Sequence, residues 1–176
     1  RKINSVIEIK PSGFVIRISD EGPGFDTSNV GDLSQLSTRG TNLMTAFMDS
    51  VEYNNSGNEV LMKYRFDRSK ASFAKRRPRR TGSHGPRLIC QATDEIHEIA
   101  AQKFVIGSGK ASHLKLDGET ISRLHCVLKV DNGTISIVNI SPQHKTLVNG
   151  KEVDRGQLKP GDTIQLGEHA FKFEST

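Results

Sequence analysis

The hydrophobic positions along the chain fall into two regimes separated by a polar gap. Near the start, Ile7 and Ile9 alternate with Glu8 and Lys10, Pro11-Ser12-Gly13 interrupts, and Phe14, Ile16 and Ile18 alternate with Val15, Arg17 and Ser19. A period of two on both sides of a turn predicts a β-hairpin that gives one face to a core. Further on, Leu43, Phe47 and Val51 fall four residues apart with Met44 and Met48 beside them. This is the spacing of one helical stripe, and it predicts a helix over about 41–50. The stretch VEYNNSGNEVLMKYRF predicts a strand, a turn at 54–57 and a second strand, with Val60, Met62, Tyr64 and Phe66 on one face. The first unit is therefore expected to run β-β-α-β-β, small for a complete domain.

Between 67 and 86 the periodicity stops, and SKASFAKRRPRRTGSHGP has the composition of an exposed linker. From Arg87 onward the chain reads as short strands: RLICQA, EIHEIA, KFVIG, LKLD, HCVLKV, TISIVNI, TLVNG, DTIQL and HAFKFE. Turn signals at Asp131-Asn132-Gly133, Asn149-Gly150 and Pro160-Gly161 punctuate them. So many short strands in about 90 residues imply a β-sandwich or barrel. The expected partition is a first domain at 1–66, a basic flexible linker at 67–85 and an all-β domain at 86–176.

Charge sharpens this division. Residues 1–66 carry 7 basic and 8 acidic side chains, residues 81–176 carry 11 of each, and residues 67–80 carry 7 basic and 1 acidic. The net +5 of the chain therefore belongs to the linker. Lys75-Arg76-Arg77-Pro78-Arg79-Arg80 could hold phosphate backbones electrostatically, or could serve as a solvated spacer that repels itself and stays extended. With no recognition helix and no stacking platform, sequence-specific nucleic-acid readout is not expected. No run approaches the roughly 18–20 apolar residues of a membrane span, and no charged start leads into an apolar signal core, so a cytoplasmic protein is expected. Cys90 and Cys126 lack metal-ligand spacing and read as buried free thiols, and no metal site is expected. The chain begins with Arg1 and enters a strand almost at once, so a further piece is expected upstream.

In the first unit, Asp20-Glu21-Gly22-Pro23-Gly24-Phe25 fits D-x-G-x-G-F, and STRGTNLMTAFMDSVEYN follows at 37–54. Taken alone, the hexapeptide is open to two readings: a turn capped by Asp20, or a nucleotide loop. Together the two stretches resemble the paired glycine boxes of the GHKL ATPases, the fold of histidine kinases and of bacterial anti-sigma factor serine kinases. The short lid between them and the phrase FMDSVEY are most similar to the anti-sigma branch. The resemblance implies that Asp20 accepts a hydrogen bond from the adenine amino group and that Gly22 and Gly24 let the backbone pass close to the nucleotide. It also implies that Arg39, Gly40 and Thr41 open a helix whose free N–H groups face the phosphates. Two features depart from the family: Thr38 stands where a glycine is usual, and only 19 residues precede Asp20, too few for the family's magnesium-binding Asn and neighbouring Glu. ATP and Mg²⁺ are thus expected in a longer parent protein, and no catalysis is expected from this chain alone.

In the second unit, FVIGSG, DGETISRLHCVL and IVNISPQHKTLVNG follow in an order that resembles a forkhead-associated (FHA) domain. That family is an eleven-stranded sandwich whose loops at one end bind phosphothreonine peptides. Ser122-Arg123-Leu124-His125 is the strongest match: a hydroxyl and a guanidinium at a loop tip can donate charge-assisted hydrogen bonds to phosphate, and His125 is expected to brace that loop from inside, with Gly107 as a second structural residue. Ser108 stands where the family has Arg, and His144 and Lys145 where it has Asn and Gly. Losing one charged donor costs roughly 1.5–3 kcal/mol, tenfold or more in affinity. Lys110 and Lys145 could restore charge, without the bidentate fork of Arg. The expected phosphopeptide set is Ser122, Arg123, Ser108, Lys110, His144 and Lys145.

The expected fold class is an α+β partial GHKL ATPase fragment followed by an all-β FHA sandwich. The expected function is signalling, an ATP-binding anti-sigma-type serine/threonine kinase-like module joined to a phosphopeptide reader. Its implied partners are a phosphothreonine protein and an anti-sigma antagonist or sigma factor. The alternative is a non-catalytic FHA adaptor carrying an ATPase remnant.

Overall fold

Ile3–Lys10 (β1) and Gly13–Asp20 (β2) pair antiparallel around Pro11 and Ser12, and a helix, Arg39–Phe47 (α1), follows. Ser50–Tyr53 (β3) and Glu59–Arg65 (β4) complete a four-stranded sheet of order β1-β2-β4-β3, antiparallel throughout. The computed structural model describes residues 2–27, 39–66 and 85–175, and the chain divides into two units, Arg1–Arg79 and Arg80–Thr176. The linker and its basic run at 67–84, and Thr38, lie outside the described residues.

In the first unit, register places Ile7, Ile16, Met62 and Val51 in one row across the sheet. Directly opposed residues share a face, so the alternating apolar positions form a single surface. Only part of it is covered. Met62 of the sheet and Thr45 and Ala46 of α1 are buried, α1 lying against β3. Ile3, Ile7 and Ile9 of the edge strand β1 are 72%, 61% and 76% exposed. The expectation that the first hairpin gives Ile7 and Ile9 to a core is therefore corrected.

The helix also differs from its expected span, beginning two residues earlier and ending near Phe47. The amide of Asp49 donates to Lys63 O at 2.8 Å, and the Asp49 carboxylate accepts the Arg65 amide. These cross-links to β4 draw the chain out of the helix, so Val51, counted in the helical stripe, belongs to β3.

In the second unit, the described residues form eleven strands: Arg87–Cys90 (β5), Ile96–Glu98 (β6), Lys103–Gly107 (β7), Leu114–Lys115 (β8), Cys126–Asp131 (β9), Thr134–Asn139 (β10), Thr146–Val148 (β11), Lys151–Glu152 (β12), Arg155–Leu158 (β13), Thr163–Leu166 (β14) and His169–Glu174 (β15). They make two sheets, β13-β10-β9-β7-β8 and β12-β11-β14-β15-β5-β6. Leu88, Phe104, Ile106, Leu128, Ile137, Ile164, Leu166, Phe171 and Phe173 form one buried cluster from both sheets, the core of a sandwich. The strands β12 and β13 carry no alternating apolar signal, because Lys151, Glu152, Arg155 and Gln157 are exposed. Backbone pairing to β11 and β10 holds them instead.

Candidate functional site

The backbone from Ile121 to Arg123 is held carbonyl by carbonyl. Ile121 O accepts the Ser108 hydroxyl at 3.1 Å, and Ser122 O accepts the Ser108 amide at 3.0 Å. Arg123 O accepts both the Gly109 amide at 2.9 Å and the Ser112 hydroxyl at 3.2 Å. The donors all come from the short loop after β7. Gly109 lacks room for a side chain, since a Cβ there would stand 2.7 Å from Arg123 O. The loop bearing Ser122 and Arg123 is thereby fixed from below, while Ser122 stays half-buried and Arg123 exposed.

His125 holds the same loop from inside. Its side chain is fully buried, and the Ser122 amide approaches Nδ1 at 3.4 Å while Lys145 O lies 3.3 Å from Nε2. One neutral tautomer satisfies both partners, with Nδ1 accepting and the Nε2–H donating. Burial pushes the pKa of the ring below the ordinary histidine value; the Lys145 carbonyl partly opposes this, and the nearby His144 adds to it. One ring thus lies between two loops, in contact with the backbone of each.

The second of those loops, between β10 and β11, is pinned by buried Asn139. Its Oδ1 accepts the Ser141 amide and the Thr146 hydroxyl, each at 3.2 Å, and its Nδ2 donates to His144 O at 3.4 Å. Ser141 Oγ accepts the His144 amide at 2.9 Å and lies 2.8 Å from Ser122 Oγ. Ser141 and Asn139 were missed in the sequence; the sole signal was that both are small polar residues within a strand-to-turn run.

The residues expected at the phosphate divide by what else they contact. Arg123 and Lys110 are exposed, and no ion pair engages either among the described residues. Ser108 gives its single hydroxyl proton to Ile121 O, so in this conformation it braces the loop. The Lys145 ammonium pairs with Glu152 at 2.6 Å, which holds its pKa above the ordinary lysine range. His144 contributes backbone to the loop, its ring stacked 6.2 Å from that of His125.

In the first unit, Asp20 is exposed, and its Oδ1 accepts the Gly22 amide. Gly24, at φ +73°, faces the turn at 54–58: a Cβ there would lie 1.7 Å from Ser56 O, and Gly57, at φ +70°, meets Phe25 reciprocally. Phe25 also packs edge-on against Tyr53 at 5.2 Å. Close packing of two turns therefore accounts for Gly24. Gly40 lies in α1, where a Cβ would meet no atom within 4 Å among the described residues, while the side chains of Arg39 and Thr41 lie outside them.

Among the described residues no group of three or more His, Cys, Asp or Glu side chains could hold a metal ion, and no helix is long and apolar enough to cross a membrane.

Comparison with known proteins finds a family-model match in each unit. Residues 104–167 match the FHA domain, and residues 1–64 match the histidine kinase-like ATPase domain. The glycogen accumulation regulator GarA of Mycobacterium tuberculosis is 32% identical over 62 residues, 35% of this chain and 38% of that protein. The chain thus spans well under half the length of this relative. A solved structure from an analysis of phosphothreonine-dependent FHA domain interactions superposes with a TM-score of 0.50 at 21% identity, covering 53% of this chain and 98% of that one. Mycobacterium tuberculosis EmbR in complex with a low affinity phosphopeptide gives a TM-score of 0.52 at 19% identity, covering 61% of this chain and 29% of that one. At such identities the structures establish a shared FHA sandwich fold.

Proposed function

We propose that this chain, an FHA domain preceded by a histidine kinase-like ATPase match, reads phosphothreonine in a protein partner through Ser122 and Arg123, with Lys110 as supporting charge. One observation carries the reading: the three successive carbonyls at 121–123 are tied down, while the Arg123 side chain stays exposed and without an ion pair among the described residues. A rigid loop that presents a hydroxyl and a guanidinium suits a phosphate dianion, because the donors lose little entropy on binding. The likeness to phosphothreonine-dependent FHA domains supports the same choice of ligand. Titration of a labelled phosphothreonine peptide pool tests it. The phosphorylated pool should bind more tightly than its unphosphorylated counterpart, and Ser122→Ala should weaken binding about tenfold. Equal binding of the two pools, or no loss in Ser122→Ala, would remove the site.

For the first unit the proposal is the adenine edge of a nucleotide site. Asp20 is exposed and commits Oδ1 to Gly22, leaving Oδ2 for an amino donor, and the first turn of α1, which contains Gly40, would offer its free N–H groups to the phosphates. The groups on Mg²⁺ would come from residues outside the given sequence, in a longer protein of the anti-sigma serine/threonine kinase kind. A sigma factor or its antagonist would then be a partner. A second reading, a non-catalytic adaptor, is favoured by the closed packing of the loop at 22–25 on the turn at 54–58. Binding of ATP to a version extended upstream, abolished by Asp20→Asn, supports the first reading; absence of binding supports the second.

A further inference from the structure

The hydroxyls of Ser122 and Ser141 lie 2.8 Å apart across 19 residues of sequence, the short separation of an O–H···O hydrogen bond. Either hydroxyl can donate across this gap, and the other contact of Ser141 points to one direction. Ser141 Oγ accepts the His144 amide at 2.9 Å, and an amide can only donate. That bond takes one of the two lone pairs of Ser141 and leaves its proton free to be given to Ser122 Oγ. In this direction the chain runs from His144 N–H through Ser141 O–H to Ser122, and the Ser122 proton is free for a further acceptor.

We infer that Ser141 is a positioning residue that sets the hydroxyl of Ser122 as a donor to the phosphate, an inference that rests on the reading of Ser122 as a phosphate ligand. An amide at the head of the chain polarises both hydroxyls in the same direction, so each bond strengthens the next. An anion at Ser122 favours this direction over the reverse, in which Ser122 would turn its lone pairs toward the phosphate. The head of the relay is itself fixed, because His144 is held through its amide by Ser141 and through its carbonyl by buried Asn139. The β10–β11 loop therefore contributes to phosphate recognition by orienting a proton. That role needs neither the His144 side chain nor the Lys145 charge, which Glu152 already engages.

The test is a double-mutant cycle on the full chain, read by fluorescence titration with a fluorescein-labelled phosphothreonine peptide pool and the same pool unphosphorylated. Ser141→Ala should weaken phosphopeptide binding about fivefold, the effect of one ordinary hydrogen bond. The same change on a Ser122→Ala background should alter nothing, and Ser141→Thr should return wild-type affinity. Should Ser141→Ala fail to fold, as judged by its melting curve, Ser141→Cys takes its place with the same expected loss, since a thiol is a weak donor. Full affinity in the Ala variant, an equal loss with and without Ser122, or a Thr variant as weak as Ala would each overturn the inference. A wild-type protein indifferent to phosphorylation would instead overturn the underlying reading of Ser122, and the inference with it. A protein that needs Ser122 but not Ser141 overturns the relay alone.

Discussion

Gly107 stands directly beneath Arg123: a β-carbon on the glycine would lie 2.5 Å from the Arg123 carbonyl oxygen and 2.7 Å from that of Ser122. The contact sets the height of the loop at 121–123 above the end of β7. It also explains why a strand that is apolar from Phe104 to Ile106 ends in a residue with no side chain.

Gly107→Ala should therefore lift the loop. A methyl group forced onto backbone costs about 1–3 kcal/mol, and the displaced Ser122 and Arg123 should lose phosphopeptide affinity together. Denaturant unfolding and peptide titration check both effects; a variant as stable as wild type with full binding would show that the loop has room to spare.

Ser108→Arg should raise affinity. The serine sits between two glycines packed on the Arg123 backbone, beside the loop proposed to carry the phosphate donors. Replacing it removes one bond to Ile121 O but adds a guanidinium, and a charge-assisted contact outweighs a neutral one. About a tenfold gain is expected by titration with the phosphothreonine pool, and an unchanged or weaker affinity would place the new guanidinium out of reach.

Stability should fall as pH drops through the ordinary histidine value near 6.5, because His125 is held below it by burial. The unfolded chain then binds a proton that the folded chain refuses, so unfolding is favoured from pH 6.5 down to the depressed folded value, by at most about 1.4 kcal/mol per pH unit for one proton. Protonated Nδ1 would also face the Ser122 amide, donor against donor. Denaturant midpoints from pH 8 to 5, compared between wild type and a folded His125→Gln variant, should show this slope in the wild type alone. Further down, Asp162, held low by the Lys159 amide and Asn149, and Glu174, held low by Arg87 and Lys172, contribute in the same direction as they protonate.

The two cysteines should separate by reactivity. Cys126 is fully buried, and burial pushes its thiol pKa far up, whereas Cys90 is half-buried and lowered by a hydrogen bond from the Thr93 hydroxyl. Native protein should release one equivalent in a thiol-disulfide titration and the second only with denaturant. Two native equivalents would mean that the sandwich opens at β9.

Gly24→Ala should destabilise the first unit by about 1 kcal/mol or more, since the residue has a left-handed backbone and its Cα faces Ser56 O. Nucleotide binding by an extended protein should weaken in parallel if the loop at 22–25 carries the adenine contact; intact binding would separate the turn from the nucleotide.

Much of the fold was legible because side-chain periodicity reports burial. The β-β-α-β-β order follows from alternating strands and one helical stripe, and nine of the eleven sandwich strands from short apolar or alternating runs between turns, whereas β12 and β13 are held by backbone ladders, to which periodicity is blind. The covered extent of the first sheet was not legible either: Ile7 and Ile9 alternate like core residues yet stay exposed, because α1 lies against β3 at the other edge.

At the candidate site the sequence alone determined which chemical groups are present and in what order, since Ser122, Arg123 and His125 lie within four consecutive residues on one loop. Tertiary structure decided which of those groups remain available. It turned the Ser108 proton onto Ile121, paired Lys145 with Glu152, and set Ser141 beside Ser122. The physical reason is that a hydrogen bond depends on separation and direction in space, and folding brings together partners that chain spacing does not reveal.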